Sequence, residues 1–289
     1  MNYIKYQPVG KSNSLNIMLA LLLGAALAVV LGWIYNLTFL IPVIYFNFLL
    51  TIGFGLVIAV LVQILAKFFK IRERKTRIYL FIALGIIGYY SHWVAYVLYI
   101  VSESIPGTSD FLHYWIYPQN IMGIIGEINK YGTWSFSFLR DAPVNGLTLT
   151  VIWLMEVAII FVIGVRYTMN FPENPFSERL NKWFEKYTLD RSFGSFYSQE
   201  AFVKAINEEG IDFILNWDKG LAYKYAEVSV FYLAESDVQY VSIDNIFIER
   251  NNKSKKNITP VVLPISISND EARKLMDAHG SKKRFFLDF

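Results

Sequence analysis

The sequence contains no cysteine, which excludes disulfides, thiolate metal sites and a cysteine nucleophile. Histidine is nearly as scarce, with three in 289 residues, and none of them forms an HExxH pair or another metal-ligand spacing. No phosphate-cradling glycine loop and no GxSxG elbow occurs in the chain. Charge is thin in the first part: before Asn170 there are eleven cations and six acids, against sixteen and eighteen from Asn170 onward. The formal net charge of +3 is therefore a set of flanks around apolar runs, not the basic stripe of a nucleic-acid binder. Neither a metal nor a cofactor is implied.

What is present is apolar. Hydrophobic residues make up 54% of the chain, aromatics 17%, and the mean hydropathy is +0.35, above the range of an ordinary soluble domain. A helix needs about 20 mostly apolar residues to cross a bilayer. Four segments meet this, at about 15–35, 40–66, 78–101 and 147–168. The fold class expected is thus an α-helical membrane protein of four transmembrane helices, residues 1–170, with a small C-terminal α+β domain, residues 171–289. Ala26-Leu27-Ala28 resembles a leader cleavage site, but the apolar run continues through Val29, Val30 and Trp33, as in an uncleaved anchor.

Between the second and third spans lies KFFKIRERKTR, with Lys67, Lys70, Arg72, Arg74, Lys75 and Arg77 against the single acid Glu73. Cations concentrated in a short loop mark the cytoplasmic side. The other loops agree: Lys5 and Lys11 precede the first span, 34–41 carries no charge, and 102–146 is mainly acidic. Both termini are expected in the cytoplasm, across a bacterial inner membrane.

Ala20, Gly24, Ala28 and Gly32 recur every four positions on the first span, a stripe that lets another helix approach closely. Its partner is either a helix of this chain or a second copy. Asn47, Thr51 and Gly55 form a similar stripe on the second span. Three polar side chains interrupt the spans: Asn47, His92 and Glu156. Counted from the outer helix ends, each is about 10–14 Å deep, which makes a Glu156–His92 pair near Asn47 geometrically reasonable. Such groups face the bundle interior and pair. They serve either as a structural tie between helices or as a proton- or ligand-responsive site.

In the outer loop 102–146, Pro118 opens a helix to Tyr131 with Ile121, Ile124, Ile125 and Ile128 on one face. It either lies on the outer leaflet or caps the bundle over the polar cluster. Past the fourth span, the spacing of Phe176, Leu180, Trp183, Phe184 and Tyr187 predicts a helix over 174–187. A second helix spans 199–209, and alternation at 225–232 and 241–248 predicts strands, with a bulge at Asp244-Asn245. A cationic turn, 251–257, leads to a sheet-edge strand holding Pro260 and Pro264. A last helix, 270–279, is capped by Ser268 or Asn269. The acids Asp212, Asp218, Glu227 and Asp244 read as solvated surface, and the aromatic tail 282–289 either docks on its domain or meets a partner.

No catalytic constellation emerges. Two functions fit: a non-enzymatic membrane-anchored adaptor whose cytoplasmic domain binds a protein partner, or a small-solute- or proton-responsive membrane protein using Asn47, His92 and Glu156.

Overall fold

The computed structural model describes residues 3–7, 12–37, 44–102, 107–132, 143–170, 174–249 and 256–284. It consists of two compact units, Lys11–Phe171 on the one hand and Met1–Gly10 with Pro172–Phe289 on the other.

The elements described in the first unit are helices: α1 (Ser14–Asn36), α2 (Ile44–Phe68), α3 (Arg74–Ser102), α4 (Thr108–Ile116), α5 (Gln119–Tyr131) and α6 (Gly146–Asn170). Four of these, α1, α2, α3 and α6, are long and apolar enough to cross a membrane. The small-residue stripe is filled from within the chain. Ala20, Gly24, Ala28 and Gly32 are all buried, Gly24 lies against Leu84 and Leu65, and Gly32 lies against the backbone of Gly88. A seam between copies through this stripe would have to displace α3.

The basic loop is shorter than its sequence suggests. Ile71 N–H donates to Ala66 C=O at 2.7 Å and Lys70 adopts φ 57°, a helix end of the Schellman kind that reverses the chain at once. Helix α3 then begins at Arg74, so Arg74, Lys75 and Arg77 are helical and not in a loop. Arg77 is buried, 5% exposed, and its Nη1 donates to Gln63 Oε1 of α2 at 3.4 Å. Ser12 holds the loop to the start of α1, accepting from Arg72 N–H at 3.0 Å while its own N–H donates to Glu73 at 3.2 Å.

Helix α5 forms as predicted, preceded by α4, which its short, mixed sequence did not announce. Both turn part of their apolar residues toward the bundle, while Leu112, Ile116 and Met122 stay exposed. Phe111, Ile121 and Ile128 pack with Val97 and Leu98 of α3 and Leu149 of α6, and Asn129 donates to Thr150 Oγ1 at 3.0 Å. The pair therefore packs on the ends of α3 and α6 through one apolar face.

The second unit is a five-stranded antiparallel sheet in the order β6-β5-β4-β3-β7, with β3 (Glu185–Leu189), β4 (Lys224–Tyr232), β5 (Val238–Ile248), β6 (Lys256–Ser268) and β7 (Ser281–Lys283). A two-stranded hairpin, β1 (Phe176–Ser177) and β2 (Lys182–Trp183), precedes it. Helices α7 (Gln199–Glu209), α8 (Asp212–Leu215) and α9 (Asn269–His279) join Val228, Val230, Val241 and Ile243 in one core. Ser268 caps α9 in a capping box with Glu271.

Three expectations are corrected. The helix over 174–187 is the β1–β2 hairpin and β3. Asn181 turns the hairpin at φ 52°, Phe176 packs on Trp183 at 4.9 Å, and Phe184 is buried with Phe231 and Leu233. Sheet pairing to β4 satisfies this backbone, overriding a helical spacing that five residues happen to share. No bulge occurs at Asp244-Asn245 on the β4 side, where pairing is continuous from Lys224↔Phe247 to Phe231↔Tyr240. The extra residues lie in β6, between its partners for Val241, Ile243 and Asp244, next to the two prolines. Ile246 changes phase because the opposite sheet face is also partly buried.

The third correction moves the domain boundary. Residues 3–6 belong with the sheet: Tyr6 N–H donates to Pro264 C=O at 2.7 Å and Ser266 N–H to Ile4 C=O at 2.8 Å. Tyr3 OH donates to Glu271 at 2.9 Å, and burial beside that carboxylate pushes the phenol up to about 12. The sequence division at 170 missed this strap because four residues carry no period. The turn 250–255 and the tail 285–289 lie outside the described residues. The part of the tail region that is described docks: β7 pairs with β3.

Candidate functional site

Two of the three polar residues singled out from sequence, Glu156 and His92, lie against one tyrosine, Tyr35. Tyr35, in the last turn of α1, donates to Glu156 Oε1 of α6 at 2.6 Å. Tyr89 of α3 donates to the other oxygen, Oε2, at 3.4 Å. Tyr35 OH also lies 2.9 Å from Thr51 Oγ1 of α2, and Thr51 donates onward to the Asn47 carbonyl at 2.9 Å. Three helices thus meet at one carboxylate, and the fourth, α2, is joined to it through Tyr35.

His92 is brought to the same place by ring contacts and not through Glu156. Its ring lies 4.6 Å from that of Tyr35 and 5.9 Å from that of Tyr89, and its Nδ1 has no hydrogen-bond partner. Glu156 needs no histidine, since the tyrosines already occupy both oxygens. Asn47 sits in the first turn of α2, because the helix starts at Ile44, and so lies shallower than a span from Leu40 implies. The side chain that α2 sends to the centre is Thr51, one turn deeper.

Sequence reasoning missed Tyr35, Tyr89 and Thr51 as site residues. Thr51 shared a stripe with Asn47 and Gly55, which could have found it. Tyrosine near a span end is ordinary interface chemistry, so Tyr35 carried no such signal.

Around the centre the walls are aromatic. Tyr35 stacks on Phe54 at 4.4 Å, His92 stacks on Tyr96 at 6.2 Å, and Trp93 meets Trp153 edge-on at 4.8 Å. Cap helix α4 reaches within one residue of His92: Trp115 Nε1 donates to Ser91 Oγ at 2.8 Å, and Tyr90 OH donates to Trp115 C=O at 3.0 Å.

The second unit holds a different polar group. On the sheet face opposite α7 to α9, Glu227 and Asp244 stand directly across from one another, a like-charged pair that costs stability. Each has a cation: Arg284 at 3.6 Å from Glu227 and Lys186 at 3.8 Å from Asp244. Asp244 is therefore not free surface. Burial holds its carboxyl above the ordinary range, with Lys186 pulling the other way. Between the ordinary and the raised value the folded chain binds more protons than the unfolded one, so stability falls as pH rises through that window. Asp244→Asn is expected to remove this dependence. Hydrogen exchange of β4 and β5 amides in the full chain, corrected for intrinsic rate, should slow on acidification in the wild type and stay level in the variant. Equal profiles would remove Asp244 from the account.

Among the described residues no group of three or more His, Asp or Glu side chains could hold a metal. No family model, no curated protein and no solved structure matches the chain.

Proposed function

We propose that this chain is a non-enzymatic, multi-pass protein of a bacterial inner membrane whose helical bundle carries a proton- or small-solute-responsive site at Glu156. The C-terminal domain is then the cytoplasmic module through which a protein partner is met. The observation that carries the reading is the donation of hydroxyls from two different helices, α1 and α3, to the two oxygens of one carboxylate on α6. A tie between two helices needs one hydrogen bond, worth about 0.6–2 kcal/mol in a membrane. Joining three helices at an ionisable group, with a fourth tied in through Tyr35, makes the packing depend on that group's charge.

The physical sequence is short. An ionised Glu156 only accepts, so it holds both phenol protons; a protonated Glu156 has one acceptor oxygen fewer and a proton to give. The groups facing it are Tyr35 from α1, Tyr89 and His92 from α3, and from α2 the non-titrating Thr51. Protonation therefore releases or reorients Tyr89, the more distant donor at 3.4 Å, and the change passes along α3 to the cap through Ser91 and Trp115. The pairing of residues 4–6 with β6 supports placing the N-terminus and the C-terminal domain on one side of the membrane, as four spans require. The six cations at 67–77 support that side being cytoplasmic.

The test is a pH titration of intrinsic fluorescence on the full chain in nanodiscs, since Trp93, Trp115 and Trp153 surround the site. The wild type should show a sigmoidal change that Glu156→Gln, equal in shape but unable to ionise, removes. A curve unaltered by Glu156→Gln would reduce the cluster to a structural tie.

A further inference from the structure

Gly32 of α1 lies against Gly88 of α3, where an added Cβ would come within hard contact of the Gly88 carbonyl. Gly24 meets Leu84 and Gly32 meets Gly88 and Ser91, so the two helices run parallel. Asn36 and His92 each follow one turn further along, on α1 and α3 respectively. Each is more than nine-tenths buried, at 1% and 9% exposure, and each keeps an unpartnered polar atom, Asn36 Oδ1 and His92 Nδ1. A third buried unpartnered atom, Asn47 Oδ1, lies one turn along α2 from Thr51. The His92 ring lies 4.6 Å from that of Tyr35, Asn36 follows Tyr35 in the chain, and the Tyr35 hydroxyl, bound to Glu156 and Thr51, reaches the turn of Asn47 through Thr51.

What these atoms have in common decides the ligand. Two are carbonyl oxygens and accept only; the imidazole nitrogen accepts whenever its partner nitrogen carries the proton. The hydroxyls of Tyr35, Tyr89 and Thr51 are already engaged. The surplus is one of acceptors, beside a carboxylate and within aromatic walls whose faces attract positive charge. An anion meets the carboxylate, and a solute that only accepts leaves all three of these atoms unpaired. A bulky cation finds Tyr35 already between Phe54 and His92 at 4.4 and 4.6 Å.

We infer that the bundle binds a small cation bearing N–H donors, ammonium or the end of a primary amine, between Asn36, His92 and Asn47 with Glu156 as counter-charge. This rests on the reading of Glu156 as a responsive site and names its ligand class. Free ammonium and an amine terminus present the same donors, so the source is separated by experiment.

Binding is measured on the full chain in nanodiscs by fluorescence and calorimetry, with ammonium, methylammonium, tetramethylammonium and potassium chlorides at constant ionic strength. Ammonium should bind saturably, with tetramethylammonium and potassium at least tenfold weaker. Methylammonium binding as well as ammonium assigns the site to amine termini; ammonium alone assigns it to the free ion. Asn36→Leu, which removes the acceptor but keeps the volume, should weaken binding at least tenfold. Tetramethylammonium binding as tightly as ammonium, no saturation, or a folded Asn36→Leu that binds like wild type each overturns the inference. The salt series on the wild type stands even where the variant fails to fold. A site that titrates through Glu156 but takes no ammonium sinks the ligand and leaves the responsive site intact.

Discussion

Gly32→Ala is expected to cost the bundle about 3 kcal/mol, the upper end for forced overpacking. The added methyl would overlap the Gly88 carbonyl and crowd Ser91 Cβ at 2.9 Å. A side chain can rotate away from such a contact, but a helix backbone cannot. Helices α1 and α3 must separate, and with them go the placements of Tyr35, Asn36 and His92 one turn beyond. The control is Gly53→Ala on α2, where nothing lies within 4 Å of the new Cβ and alanine favours the helix by about 1 kcal/mol. Thermal melts followed by size-exclusion chromatography in detergent should show a large loss for the first and none for the second. Similar melts for both would mean that α1 and α3 are not in backbone contact.

Deleting residues 3–7 is expected to destabilise the C-terminal domain by about 2 kcal/mol. The strap makes two backbone hydrogen bonds to β6, accepts Phe176 N–H on the Tyr6 hydroxyl at 3.1 Å, and packs Tyr6 edge-on against Tyr240 at 5.2 Å. Each net hydrogen bond contributes about 1 kcal/mol, against an ordering cost of about 1–2 kcal/mol per residue that side-chain burial offsets. The loss should be local. Exchange of amides at 263–268 should quicken in the truncated chain, and a peptide of residues 1–10 added in trans should restore protection. Unchanged exchange would mean that β6 keeps its edge without the strap.

The fold was legible where one period ran long enough. Four long apolar helices, the helix ending at Gly210 and the strands around Val228 and Val241 each repeat a pattern that local physics alone enforces. The failures are places where burial is decided from outside the segment. Phe176, Trp183 and Phe184 have helical spacing, yet their partners are one another and Phe231. The N-terminal strap is four residues whose only information is a free edge on β6. At the site, sequence named the costly groups, because an acid or a histidine among leucines stands out. It did not name the tyrosines that make the site, since Tyr35 looks like any aromatic at a span end. Arg77 was misplaced for the opposite reason: a cation beside a basic loop looks solvated, and only its packing against Gln63 shows otherwise.

The central claim is that Glu156 changes protonation state in place, held by hydroxyls from α1 and α3. Infrared difference spectroscopy on the full chain in bilayers reads this directly, as a carboxyl C=O band that appears on acidification. The account predicts a band absent in Glu156→Gln and displaced in frequency in Tyr35→Phe, because the 2.6 Å hydrogen bond is lost. A wild-type spectrum with no carboxyl band that depends on Glu156, at any pH the protein survives, would contradict it.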